Sequence, residues 1–232
     1  MNLFGSLFHS SVGKKVLMAF TGLVLFIFVT GHLLGNLQIF LPPERINAYG
    51  HLLESLGELL WAVRIFLFVC LVIHVWLAID LTLQNRAARP TGYGVVHTNR
   101  ASIASRVMAR TGIVVLAFLI YHLMDFTFRV QHPEWGNATF QLANGIRVRD
   151  LHAMMVQGFS RVGVSIFYII AVGLLSYHLS HGVVSLVQSL GLKSEKWTRG
   201  LERFTVTYCW LYFLLNAAIP LSILGGLVKA RV

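Results

Sequence analysis

The sequence predicts an all-α, polytopic membrane protein folded as one domain over residues 1–232. Three observations predict it: a composition too apolar for a water-soluble surface, five apolar runs of membrane length, and a histidine at a matched position on each of the first four runs. Hydrophobic residues make up 56% of the chain and charged residues only 12%, about half the charged share of a soluble domain. The formal charge of +10 would suggest nucleic acid in a soluble chain. Here the basic residues gather between apolar runs, where they set membrane orientation, so nucleic acid is excluded as a partner. Cys70 and Cys209 each lie inside an apolar run with no mate at motif spacing, which excludes a disulfide framework and an iron-sulfur cluster held by this chain.

Runs long enough to cross about 30 Å of hydrocarbon at about 1.5 Å per residue fall near 15–40, 59–84, 107–129, 161–187 and 205–228. The opening "MNLFGSLFHSSVGKK" lacks a short apolar region with a small-residue cleavage site, so the first run is expected to stay as a span. Between the runs stand "LPPERINAYGH", "NRAARPTGYGVVHTNRAS", "QHPEWGNATFQLANGIRVRD" and "GLKSEKWTRGLER", each broken by Pro, Gly or charge. The third connection is the longest and has room for a short surface element.

With the N-terminus inside, one side of the membrane receives eleven cations and three acids, Asp80, Glu195 and Glu202. The other side receives eight cations and six acids. The cation excess places the N-terminus and the second and fourth connections in the cytoplasm; the membrane expected is a bacterial inner membrane.

His32, His74 and His122 lie on the first three spans, and His178 with His181 on the fourth. Each span carries its histidine about two thirds of the way along, and alternate spans run in opposite directions. His32 and His122 therefore fall outward of the midplane, and His74 and His178 inward, at levels roughly 10–15 Å apart. One imidazole per helix at two paired levels is what two bis-histidine haems stacked across a bundle require. Without a Cys-x-x-Cys-His motif, both are expected to be haem b, held without covalent attachment. His178 and His181, three residues apart on one face, compete for the inner site; His181 lies nearer the interface.

The segments "AFTGLVLFIFVTGHL" and "ARTGIVVLAFLIYHL" echo one another: Thr21 and Gly22 stand to His32 as Thr111 and Gly112 stand to His122. Glycine on a helix face admits a bulky neighbour to the backbone, so the shared offset predicts that Gly22 and Gly112 line a cofactor. Zinc fits less well, because it gathers three or four ligands at one point. A proton-relay transporter also uses intramembrane histidines but wants midplane carboxylates, whereas Asp80 and Asp125 sit near span ends.

The order of spans and histidines, "GHLLGN" at the first, "TGIVVLAFLIYHLMDF" at the third, "SYHLSHGVVSLVQSLG" at the fourth and the entry "SLFHSSVGKKVLMAFTG" together resemble one family. It is the cytochrome b membrane anchor of succinate dehydrogenases and fumarate reductases, in the class with one five-helix polypeptide and two haems. The resemblance covers nearly the whole chain; "CLVIHVWLAIDL" is its least distinctive part. It implies an anchor docked on its cytoplasmic face to an iron-sulfur subunit, which carries the flavoprotein where succinate and fumarate interconvert. It also implies that His74 pairs with His178, rather than His181, on the haem proximal to those subunits, and His32 with His122 on the distal haem. Electrons would pass between cluster, haems and a membrane quinone, menaquinone by the family's di-haem pattern.

Quinone chemistry needs a proton donor, and Glu54, in an outer cluster with Glu58 and His51, is the carboxylate singled out; an i,i+4 pair of Glu54 and Glu58 that only solvates a helix end explains them equally well. On the inner side His97, Ser102 and Arg106 flank the third span. Propionates would find Arg106, Arg110 or His181 on the inner side and Arg129 or Arg161 on the outer. One departure from the family's pattern is Ser176, where some members carry a glutamate thought to move protons. The same histidine geometry also suits a di-haem cytochrome b serving a hydrogenase or another dehydrogenase.

Overall fold

The computed structural model describes residues 8, 10–88 and 103–230, with the side chains of 103–107 outside that description. Helix α1 (Ser11–Asn36) starts where Ser10 Oγ accepts from the Gly13 amide at 3.0 Å, and one turn of 3₁₀-helix extends it to Phe40. Inside it Thr30 returns its hydroxyl to the Phe26 carbonyl at 2.7 Å, which satisfies a polar group in an apolar span. Five helical stretches have the length and apolarity to cross a membrane: 11–40, 58–87, 108–127, 162–189 and 195–224.

The connection "LPPERINAYGH" is not open loop but the start of helix α2 (Pro43–Ser55), with Pro at its first position, where a missing amide costs nothing. Gly57, at φ 54°, then breaks the chain in a conformation that side chains resist, and α3 (Glu58–Ala87) begins. Helix α4 (Ile103–His122) ends on a single π-helical turn, Leu123–Thr127. The long third connection folds into a two-stranded antiparallel hairpin, β1 (Thr139–Gln141) with β2 (Arg147–Arg149), Phe140 opposite Val148. A short helix α5 (Leu151–Phe159) follows. This hairpin is the one β element among the described residues of a chain otherwise helical.

Helix α6 (Val162–Ser189) returns across the span region and α7 (Glu195–Leu224) closes the fold. The last helix begins ten residues before the expected 205, because "EKWTRGLER" contains good helix formers and only one glycine. It stops at Gly225 and Gly226 (φ 70°), whose amides, with that of Leu227, take up the last carbonyls.

Helix α3 lies along α1, α4 along α6, and α1 and α6 pack on each other; α7 lies along α6, while α3 and α4 scarcely touch. The chain is thus two helix pairs, α1/α3 and α4/α6, joined through α1 and α6. Most of α3 presents apolar side chains such as Ile65, Phe68 and Trp76 to its surroundings, as a lipid-facing helix does. A polar cap closes the end of the bundle opposite the N-terminus. There Asn47, fully buried, accepts from the amides of Leu151 (2.8 Å) and His152 (3.1 Å) and donates to Asp150 Oδ1 at 3.1 Å. Beneath the cap Ile39, Ile46, Met155, Phe159, Tyr168 and Ile223 form the largest buried apolar cluster.

Candidate functional site

Two imidazole pairs lie within the span region, with His74, His122 and His178 half-buried and His32 exposed. The near pair, on the N-terminal side, is His74 of α3 and His178 of α6, close enough to interact electrostatically. The far pair is His32 of α1 and His122 of α4, with ring centroids 5.7 Å apart and planes at 84°. Each pair draws one histidine from α1/α3 and one from α4/α6.

The near pair is seated in the same way twice. Thr21 Oγ1 lies 3.3 Å from His74 Nδ1, and Thr111 Oγ1 lies 3.3 Å from His178 Nδ1. Each hydroxyl already gives its proton to its own helix: Thr21 to the Leu17 and Met18 carbonyls at 3.0 and 3.1 Å, Thr111 to Met108 at 3.0 Å. The threonine can then only accept, so Nδ1 carries the ring hydrogen and Nε2 keeps its lone pair. A histidine that donates from one nitrogen to a fixed neighbour presents the other as a metal ligand.

The adjoining glycines make room for these rings. A Cβ on Gly22 would meet His74 Cε1 at 3.3 Å, and one on Gly112 would meet His178 Cε1 at 3.5 Å. What lies against each glycine is an imidazole edge. Thr21 is about 16 Å along the helix axis from His32, eleven residues at 1.5 Å each. The shared offset thus belongs to the near pair, although the sequence shows it relative to the far one.

The far pair is held by aromatic rings. Phe28 stacks on His32 at 5.7 Å, and Phe118, Phe126 and Tyr168 pack around His122 at 5.9 to 6.0 Å. The Tyr168 hydroxyl approaches His122 Nδ1 at 3.4 Å, a weak contact. His32 is exposed within its span, and no hydrogen bond among the described residues reaches its ring. An imidazole so placed in hydrocarbon is unstable without a partner.

The other predicted residues are spread out. His181 is half-buried one turn beyond His178 toward the N-terminal side. The side chain of Arg106 and all of His97 and Ser102 lie outside the described residues. Glu54 ends α2 and pairs with Arg149 of β2 at 3.1 Å, while Glu58 opens α3 beyond the Gly57 break. The two are on separate helices, so they form no i,i+4 pair. Ser176 is buried, and its hydroxyl has no hydrogen-bond partner among the described residues. Arg161 has its donors engaged within the protein: Nε to the Gly158 carbonyl at 3.3 Å, one terminal nitrogen to His132 Nε2 at 2.7 Å and the other to both Asp125 oxygens at 3.2 Å.

Sequence reasoning missed two ion pairs that tie the helix pairs. Lys14 Nζ meets Asp80 Oδ2 at 2.6 Å between α1 and α3, with Lys14 only 9% exposed. Asp125 and Arg161 join the opposite ends of α4 and α6. Only Asp80 and Asp125 as the acids inside the spans gave a signal for them.

Among the described residues, no group of three or more His, Cys, Asp or Glu converges on a point. The histidines come instead in twos, His32 with His122 and His74 with His178. That donor set fits a metal that brings its own four equatorial ligands, as haem iron does. No family model, curated protein or solved structure matches the chain.

Proposed function

We propose that the chain is the di-haem cytochrome b anchor of a succinate:quinone oxidoreductase or fumarate reductase. The observation that carries this reading is the two imidazole pairs, His32 with His122 and His74 with His178, the second seated twice in the same way by the hydroxyls of Thr21 and Thr111. A haem b at each level supplies a one-electron carrier. The protein's own residues do the rest: His32 and His122 hold one iron, His74 and His178 the other, and Gly22 and Gly112 keep the backbone close to the site. His181 and Arg106 are the proposed propionate contacts on the N-terminal side.

The cation excess on the N-terminal side supports a cytoplasmic N-terminus, and the proposed membrane is a bacterial inner membrane. It also suits docking there of an iron-sulfur subunit, with the flavoprotein beyond it. The quinone, menaquinone in this reading, exchanges electrons at the far pair, and Glu54, which ends α2 outside the spans, exchanges its protons.

An optical spectrum of the purified protein with haem stoichiometry tests the reading. Two b-type haems per chain are expected, and a folded preparation with none would refute it. Co-purification of soluble partners and succinate-dependent quinone reduction then separate this assignment from a cytochrome serving a hydrogenase or another dehydrogenase.

A further inference from the structure

The far end of the bundle contains a charged network that the electron-transfer reading does not use. Asp125, 1% exposed, stands on the π-turn directly after His122, three residues on. A π-turn inside a helix is an uncommon feature that needs support to persist. Support comes from α6: one terminal nitrogen of Arg161 donates to both Asp125 oxygens at 3.2 Å, from the residue that caps the N-terminus of that helix.

The guanidinium is itself held in place. It lies 5.4 Å from the centre of the Trp135 ring, which His132 stacks on at 4.3 Å with planes 15° apart. Arg161 donates to His132 Nε2, so the ring hydrogen sits on Nδ1 and is donated to Glu134 Oε1 at 2.9 Å. Glu134 is well exposed, so the relay runs from solvent to a buried carboxylate. Tyr168, on the same α6 turns, brings its hydroxyl to His122 and its ring edge-on to Phe126, which follows Asp125 in the π-turn.

Among the described residues, the near pair has no ion pair on the turn next to either histidine. Its imidazoles meet neutral threonine hydroxyls, and the Lys14–Asp80 pair lies six residues beyond His74 toward the N-terminal end. The two levels therefore differ in charge surroundings while sharing the same ligand type.

We propose that Asp125 and Arg161 are positioning residues for the far pair: the ion pair between the buried Asp125 carboxylate and the half-buried Arg161 guanidinium fixes the π-turn behind His122 and sets the local field there, making the redox group held by His32 and His122 electrostatically distinct from the one held by His74 and His178. This rests on the di-haem reading. Both charges act on the same site with opposite sign; Asp125, at 1% exposure, is little screened by solvent, and the part-exposed Arg161 is screened more.

The test is a redox titration of the purified full chain, following the low-spin haem signals by electron paramagnetic resonance, with the far haem identified as the one lost in His122→Ala. Asp125→Asn leaves the guanidinium unbalanced and is expected to raise the far-haem potential. Arg161→Gln leaves the carboxylate unbalanced and is expected to lower it. The double variant D125N/R161Q is expected to return toward the parent value, which loss of packing alone would not produce. Arg161→Lys, which keeps the charge if R161Q fails to fold, is expected to hold the potential while altering the low-spin signal. Two haems whose potentials stay fixed in both single variants, shift in the same direction, or move equally at both levels would overturn this inference and leave the di-haem reading standing. A parent protein with no haem would overturn both.

Discussion

Thr21 Oγ1 lies 3.3 Å from His74 Nδ1 with its own proton already given to its helix, so one hydroxyl fixes both the tautomer and the aim of the imidazole. Thr111 repeats this for His178. Replacing Thr21 by Val keeps the shape and removes the acceptor. Retention of the near haem is expected to fall about 10- to 100-fold, the usual effect of losing the group behind a metal-binding histidine. Thr111→Val should weaken the same haem, and the double variant should lose less than the product of the two, because both act on one site. Haem titration into haem-depleted protein measures it.

The glycines predict a graded response. A methyl group at Gly22 would sit 3.3 Å from His74 Cε1, tighter than ordinary contact, whereas at Gly112 the distance to His178 Cε1 is 3.5 Å. Gly22→Ala is expected to disturb the near-haem spectrum and Gly112→Ala to leave it almost unchanged. Loss of the far haem in either variant, with the near one intact, would contradict this seating.

Single replacements of the four histidines should fall into two classes. His32→Ala and His122→Ala are expected to remove one and the same haem, and His74→Ala and His178→Ala the other, while His181→Ala keeps both. Haem-to-protein ratio and the identity of the remaining low-spin signal distinguish the classes. A chain in which His181→Ala loses a haem and His178→Ala does not would reassign the near ligand.

The two kinds of ion pair should differ in energetic weight. Lys14 is 9% exposed and its bond to Asp80 is 2.6 Å long; Asp80→Asn is expected to lower the unfolding temperature, because it leaves the Lys14 ammonium without its charged partner. The Glu54–Arg149 pair has side chains 42% and 33% exposed, so Glu54→Gln should cost less than about 1 kcal/mol. Thermal unfolding in detergent compares them. The same Glu54→Gln variant should retain both haems and lose most quinone-linked turnover; unchanged turnover would remove Glu54 from proton exchange.

The level of each histidine was legible because a helix converts sequence position into depth at a constant rise. The five spans were legible for the same reason: hydrocarbon thickness sets a length that composition reveals. What sequence does not encode is azimuth between helices. Thr21 and Gly22 read in register with His32 along one helix, yet they face His74 on the next. Asp125 and Arg161 were visible as charges near span ends, but their pairing across 36 residues depends on a π-turn that no local pattern announces. The cap was opaque too: Asn47 reads as a loop residue until α5, more than a hundred residues later, brings its unpaired amides to it.

The two helix pairs bear on how the chain matures. Threonine and glycine support runs within a pair, Thr21 to His74 and Thr111 to His178, whereas the facing imidazoles always come from different pairs. Neither half of the polypeptide owns a complete set of opposed nitrogens. During synthesis the first two spans therefore emerge with prepared but single-handed seats, and only the arrival of α4 and α6 supplies the opposing hand at both levels. A chain truncated between them would not be half-functional: it would have nothing to close on.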